Sequence, residues 1–370
     1  MTTWRGLTWD HPRGYAALER AAAETGGIIN WARQPLEGFE SAPIEDVCAG
    51  YDLVVLDHPH LGDAMAAGCL RPIDSILPPA ALAAIRERTL GPCYSSYEAD
   101  GHLWALPLDA AAQVSAGRMD LMEEPWPVTY DDLLLSSQKE AGFVMSLAGP
   151  HAFVSMLSLC AGFDRQFGSL AEGYLRPHHD EAIAIYLTLA HRSRPEGLSE
   201  NPIGILRLIS KGALSYCPLI FGYVPYAAKE NLNPVIFRDA PRKNSTSLPC
   251  GVLGGTGIAV TANCKLDAPL IAHLEALMSV SMQQGLIPST SGQPSAEAAW
   301  LADAVNAEVT DFYRNTVETL RHSFQRPRHQ GFVPTQTFAA EWLRGAIDNS
   351  SPQEVRVKIN ALLAAGENHA

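Results

Sequence analysis

Strand and helix alternate through the first hundred residues, and that alternation limits the folds open to this chain. WRGLTW reads as a short strand, GYAALERAAAETG as a helix ended by Gly26-Gly27, and GIINWARQ as a second strand. APIEDVCAG is then a short helix, YDLVVLD a buried strand and LGDAMAAGC a further helix, and LRPID closes the unit. Alternation with short links builds βαβ units and a mainly parallel sheet, which sets the class as α/β. Ligands of open parallel sheets bind beyond the carboxyl ends of the strands. One polar triplet stands at two such ends, Asp10-His11-Pro12 and Asp57-His58-Pro59. Each copy follows a short apolar run, so both should face the same crevice.

The later chain is less regular. YEADGHLWALPLDAAAQVSAGRMDLM holds a Pro just past a strand-like stretch, where the chain is expected to leave the sheet. Trp104 lies inside that stretch and reads as core. AGFVMSLAGPHAFVSMLSLCAG reads as a strand, a tight turn at Gly149-Pro150 and a helix, and LSYCPLIFGYV as a strand running into a loop. PCGVLGGTGIAVTA is a Gly-rich stretch entering a strand. LDAPLIAHLEALMSVSMQQG has the apolar spacing of an amphipathic helix, and the chain beyond about residue 296 is mostly helical.

Charge and length remove several function classes. A formal charge of -13 over 370 residues repels phosphate backbones, so nucleic acid is not an expected partner. No apolar run approaches the roughly 20 residues of a membrane span. The 7 cysteines are odd in number, scattered, and without any C-x-x-C, which reads as reduced core thiols rather than a disulfide framework or zinc site. No cofactor motif is present, so none is expected. The opening residues have none of the features of a secretory leader. A cytoplasmic location is the expectation, and a periplasmic one if the chain given lacks a native leader.

Around the first triplet stand Thr8, Asp10, His11 and Arg13. His11 and Arg13 could reach a ligand, Arg through its two-pronged fork for a carboxylate, while Asp10 orients one of them. The alternative is that Asp10 caps the helix that Pro12 begins. Around the second stand Asp57, His58 and His60, with Asp63 behind, and Asp57 could again be a helix cap ahead of Pro59. Histidine and carboxylate can bind zinc or iron, but no third distant ligand is specified, so no metal is expected. In GVLGGTGIAV the glycines precede a strand and lack the Lys-Ser/Thr of a phosphate loop, so Gly254, Gly255 and Thr256 are read as close backbone approach to ligand or hinge. FQRPRHQGF offers Arg326, Arg328 and His329 in a loop that could close the cleft or contact an anionic ligand, with a solvated basic turn as the commoner outcome. YLRPHHDE, with His178 and His179, is given no role.

The order of these segments resembles the extracellular solute-binding proteins of ABC importers, family 1, the sugar type. YDLVVLDHPHLGDAMAAGCLRPID is similar to the family's strand, Asp, helix and G-x-L-x-P-[IL]-D segment. DGHLWALPLDAAAQVSAGRMDLM is similar to its crossover, and PWPVTYDDLL to its P-x-T-[WY]-[DE]-[DE]-L helix start. LGGTGIAVTA resembles the returning strand, and MSVSMQQGLIPSTSGQPSAEAAW the helix and short loop that follow. The Asp-His-Pro pair and the missing leader depart from the family's pattern. The resemblance implies a two-lobed, periplasmic-binding-protein-like (type II) α/β fold with a ligand cleft between lobes joined by hinge crossovers. Lobe one would hold residues 1–108 and 254–295, and lobe two residues 109–253 and 296–370. Asp109 and Gln113 would then follow the crossover. Lobe two would add His151 at a strand-to-helix turn, with Ser146 and Gly149, and the aromatics Tyr216, Tyr223 and Tyr226.

The implied function is capture of a small polar molecule by hinge closure, an acidic group being suggested by the two Arg candidates. An ABC permease would be a partner only for an exported chain. The competing reading is a cytosolic lyase, hydratase or isomerase on the same fold, with His11, His58, Asp10 and Asp57 as general acid-base groups. Fold alone does not choose between them.

Overall fold

The computed structural model describes residues 3–170 and 172–368. The chain divides into two compact units. Unit 1 runs to Ala111 and adds Gly254–Ala307 and Arg326–Gln330, while unit 2 holds Ala112–Leu253, Glu308–Gln325 and the chain from Gly331 onward. No sequence signal announced the second return to unit 1, at Arg326–Gln330, after the short Glu308–Gln325 excursion through unit 2.

Among the described residues ten strands are formed: β1 (Trp4–Trp9), β2 (Ile29–Gln34), β3 (Leu53–Leu56), β4 (Leu70–Arg71), β5 (Glu98–Ala99), β6 (His102–Leu103), β7 (Leu106–Gly117), β8 (Tyr216–Phe221), β9 (Ile236–Arg238) and β10 (Leu253–Thr261). The helices of unit 1 before its crossover are α1 (Pro12–Glu24), α2 (Leu36–Ser41), α3 (Ile44–Gly50), α4 (Leu61–Ala66) and α5 (Pro79–Arg88). In unit 2, α6 (Tyr130–Lys139), α7 (His151–Phe163) and α8 (Asp180–Arg192) come first.

Unit 1 is built on β2-β1-β3-β10, with β4 beside β10. β1 runs parallel to β2 and β3, while β10 runs antiparallel to β3 and β4. Leu53, Val54, Val55 and Leu56 are all buried. An unbroken apolar strand requires cover on both faces, and each such side chain contributes about 1.5–3 kcal/mol of burial. α1 supplies part of that cover through Ala17, Leu18, Ala21 and Ala22. It starts where Pro12 takes the first helical position and stops at Gly26 and Gly27, both at positive φ.

Unit 2 centres on α7, buried at eleven of its thirteen positions. A helix apolar all round belongs in a core; α8 and the helix Phe332–Ala346 pack on it, and the helix Pro352–Asn368 packs on both of those. In its sheet β7 pairs antiparallel with β8 and β9. α6 opens with a capping box, Thr129 and Asp132 each satisfying the other's backbone N–H.

Two sequence expectations are corrected. The chain does not leave the sheet at Pro107, because β7 runs from Leu106 through Pro107 to Gly117. A proline is tolerated at the start of a strand, where its missing N–H interrupts no ladder. The segment Phe143–Leu147 forms no strand. It makes one isolated bridge, Phe143 to Tyr216, and then turns its backbone to Gly197.

Candidate functional site: a polar cluster on the carboxyl edge of unit 1

Strand register assembles the cluster. Gly6 lies beside Leu53 and Leu7 beside Val54. Both strands end just before their triplets, so that pairing brings the two turns side by side to the same edge, on strands about 4.8 Å apart. β10 runs the opposite way and brings its first residues to the same edge. Gly257 pairs with Leu56, so the next step sets Thr256 level with Asp57.

At the first turn His11 is the helix cap. Its backbone is extended, and its ring Nδ1 accepts from the Arg13 N–H at 3.2 Å. Thr8 Oγ1 donates to the Gly14 carbonyl at 2.8 Å. Asp10 points outward, 3.5 Å from the Arg33 guanidinium. Burial, helped by the nearby Arg13 charge, pushes the His11 imidazolium down to about 4. The Arg13 guanidinium makes a two-pronged pair with Asp109, Nε donating to Oδ2 at 3.0 Å and Nη2 to Oδ1. Both partners are buried.

At the second turn Asp57 is the cap. Its Oδ1 accepts from the His58 backbone N–H at 2.8 Å and lies 3.0 Å from His58 Nδ1. Its Oδ2 takes a hydrogen bond from Arg326 Nη2. Burial alone would raise this carboxyl, but the charges of Arg326 and His58 overcome it and hold the group well below the ordinary carboxylate range. His58 is 1% exposed, and burial drives its imidazolium down to about 4 against the pull of Asp57. His60 is also buried and lowered, first by burial, and its ring bonds the backbone of Phe39.

The Arg326–Gln330 segment is locked onto this turn. Arg328 Nη1 donates to the carbonyls of Ser95, Ser96 and Glu98 at 2.9, 2.8 and 2.7 Å. A Cβ on Gly62 would stand 2.2 Å from the His329 carbonyl carbon, so only glycine admits the segment against α4. The basic loop of the sequence reading is therefore an internal clamp rather than a solvated turn.

Gly255, at φ +88, is needed twice over: for its backbone conformation, and because a Cβ would stand 2.3 Å from the Asp109 carbonyl oxygen. Next to it Thr256 Oγ1 is buried without a hydrogen-bond partner among the described residues, as are His58 Nε2 and Trp9 Nε1. Buried polar groups are nearly always bonded, and three exceptions on one sheet edge call for an explanation.

Other candidates stay in unit 2. The Gln113 amide bridges α7, Nε2 donating to Ser155 at 3.2 Å and Oε1 accepting from Ser158 at 2.7 Å. Tyr216 packs edge-to-face on Trp126 at 5.2 Å, His151 lies against Phe221 at 5.9 Å, and Tyr223 is buried. His179, given no role, is a buried strut that bonds the Arg176 N–H and the Asp164 carbonyl. Among the described residues there is no cluster of His, Cys, Asp or Glu that could hold a metal ion, and no helix is long and apolar enough to cross a membrane. Trp9 was not foreseen as a member of the cluster, and Arg326 was foreseen as a cleft or anion contact rather than as the partner of Asp57. Trp9 carried no signal beyond its position at a strand end, one residue before the triplet.

No family model and no curated protein sequence matches the chain. Solved structures do, over the full length. The cyclic alpha-maltosyl-1,6-maltose binding protein from Arthrobacter globiformis matches with a TM-score of 0.78 at 15% identity, covering 100% of each chain. An ABC transporter solute binding protein from Agrobacterium radiobacter K84, in complex with ribitol, matches at 0.74 and 19% identity, covering 100% of this chain and 99% of that one. The Thermus thermophilus maltotriose binding protein bound with maltotriose matches at 0.73 and 18%, covering 98% of both. The fold is that of the type II periplasmic binding proteins, and the resemblance to sugar-type ABC solute-binding proteins spans the whole chain.

Proposed function

We propose that this protein captures a small, neutral, polyhydroxylated solute, a sugar or sugar alcohol, with the carboxyl edge of unit 1 as its binding face. The observation that carries the reading is the set of buried, unpartnered polar atoms on that edge: His58 Nε2, Thr256 Oγ1 and Trp9 Nε1. Sugar hydroxyls both donate and accept, so they match a mixed set of donors and acceptors. The charges nearby are already paired, Arg13 with Asp109 and Arg326 with Asp57. That pairing removes the reason for an acidic ligand. Structural neighbours that bind maltotriose or ribitol support the same ligand class.

The enzyme reading is weaker. An imidazole whose conjugate acid sits at about 4 is a poor general base near neutral pH. Titration calorimetry with maltose, maltotriose and ribitol tests the proposal, with His58→Ala as the control. Saturable binding of one of them, weakened at least about tenfold in the variant, is expected from loss of a buried hydrogen bond. Binding of an organic acid with indifference to all three polyols would sink it.

A further inference from the structure

Unit 2 has a cavity of about 610 Å³ whose apolar lining includes Trp126, Pro127, Val128, Leu248 and Pro249. Its volume falls within the range of small-molecule sites. Arg238, Arg242 and Arg314 reach into its lining, in a chain whose formal charge is -13. The acidic residues in the same wall are engaged elsewhere. Asp239 Oδ1 accepts from the Thr319 N–H at 2.7 Å and from its hydroxyl at 2.8 Å. Glu318 pairs with Arg321. Arg314 is held by Asp311 at 3.1 Å. Arg238 and Arg242 make no ion pair with a carboxylate among the described residues. The Arg238 guanidinium lies 5.0 Å from the centroid of the Trp126 ring, and Arg242 Nε is buried without a hydrogen-bond partner among the described residues.

We propose that this cavity is a second binding site, for a small organic oxyanion: a phosphate or carboxylate group gripped by Arg238 and Arg242, on an apolar body seated between Val128 and Leu248. Guanidinium forks make paired hydrogen bonds to either oxyanion. The stacking of Arg238 on Trp126 holds its fork in position before the ligand arrives. Val128 is 45% and Leu248 57% exposed, which leaves apolar surface at the mouth for the ligand body.

The test is calorimetric titration of the full chain with phenyl phosphate, benzoate, inorganic phosphate and benzyl alcohol at low salt. Saturable binding of phenyl phosphate or benzoate is expected, the stronger of the two naming the head group. Inorganic phosphate should bind at least tenfold more weakly, and benzyl alcohol not at all. Arg242→Ala and Arg238→Ala should each weaken binding about tenfold, whereas His58→Ala, in unit 1, should leave it unchanged. Arg238 is exposed, so its variant keeps the test alive if Arg242→Ala fails to fold. Absence of saturable binding, equal binding of inorganic phosphate, or indifference to both arginine variants would each overturn the proposal.

Discussion

The two Asp-His-Pro turns follow neighbouring parallel strands in matching register, yet they differ in which residue caps, which carboxylate is buried and what lies against the turn. At the first, β2 continues beside β1 far enough that the Asp10 N–H donates to the Gln34 carbonyl at 2.7 Å. The chain then turns tightly at Asp10, the His11 N–H donating to the Trp9 carbonyl at 2.9 Å, and His11, itself extended, becomes the cap and leaves Asp10 outside. At the second, the helical turn begins one residue earlier, with Asp57 as cap. Its carboxylate meets Arg326, from a segment 269 residues away. The same triplet thus yields a surface ion pair in one place and a half-buried one in the other. The difference teaches that a cap motif specifies a helix start, while its neighbours decide which side chain turns inward.

The largest contrast should appear on removing the carboxylates. Asp57→Ala deprives the buried Arg326 of its carboxylate and should destabilise by about 3–5 kcal/mol. Asp10→Ala should stay within about 0.5 kcal/mol, as exposed pairs do. Equal shifts in urea midpoint for the two variants would erase the distinction drawn between the turns.

Glycine substitution probes what each turn packs against. An alanine Cβ at position 62 would press on the backbone of His329, which cannot rotate away, whereas at position 14 it would meet the Trp9 indole at 2.4 Å, a side chain with some freedom to shift. Gly62→Ala should cost roughly 1–3 kcal/mol, the range for overpacking, and open the 326–330 segment to protease. Gly14→Ala should cost less and leave that segment resistant. Cleavage there in both variants, or in neither, would contradict the clamp.

In acid the turns should agree. His11 and His58 are both buried with imidazolium values of about 4, below the ordinary 6.5. Between those values the unfolded chain binds more protons than the folded one. Stability is therefore full above pH 6.5 and falls as the pH drops toward 4. Linkage gives each histidine a loss of about 2 kcal/mol by pH 5. Replacing either by Gln should flatten the melting-temperature profile by a similar amount. A profile flat between pH 7 and 5 in the unaltered protein would mean that neither ring is held neutral.

Thr256 offers the smallest effect and the sharpest separation of folding from function. Its hydroxyl is buried and unpartnered among the described residues, so Thr256→Val should be neutral or stabilising by about 1 kcal/mol. The same change should weaken binding of the sugar or polyol. Lower stability with intact affinity would make Thr256 a packing residue.

The sequence by itself determined the βαβ start, the buried third strand and the two helix starts, because periodicity, proline and capping residues act over a few positions. The matching spacing of the triplets also put them on one sheet edge. What the local signals left open was the pairing of buried charges. Arg13 could have met a ligand or Asp109, and Arg326 solvent or Asp57, and nothing within a few residues favours one over the other. A charge chooses its partner by distance in space and by the cost of leaving water, and both are set only when segments far apart in the chain pack together.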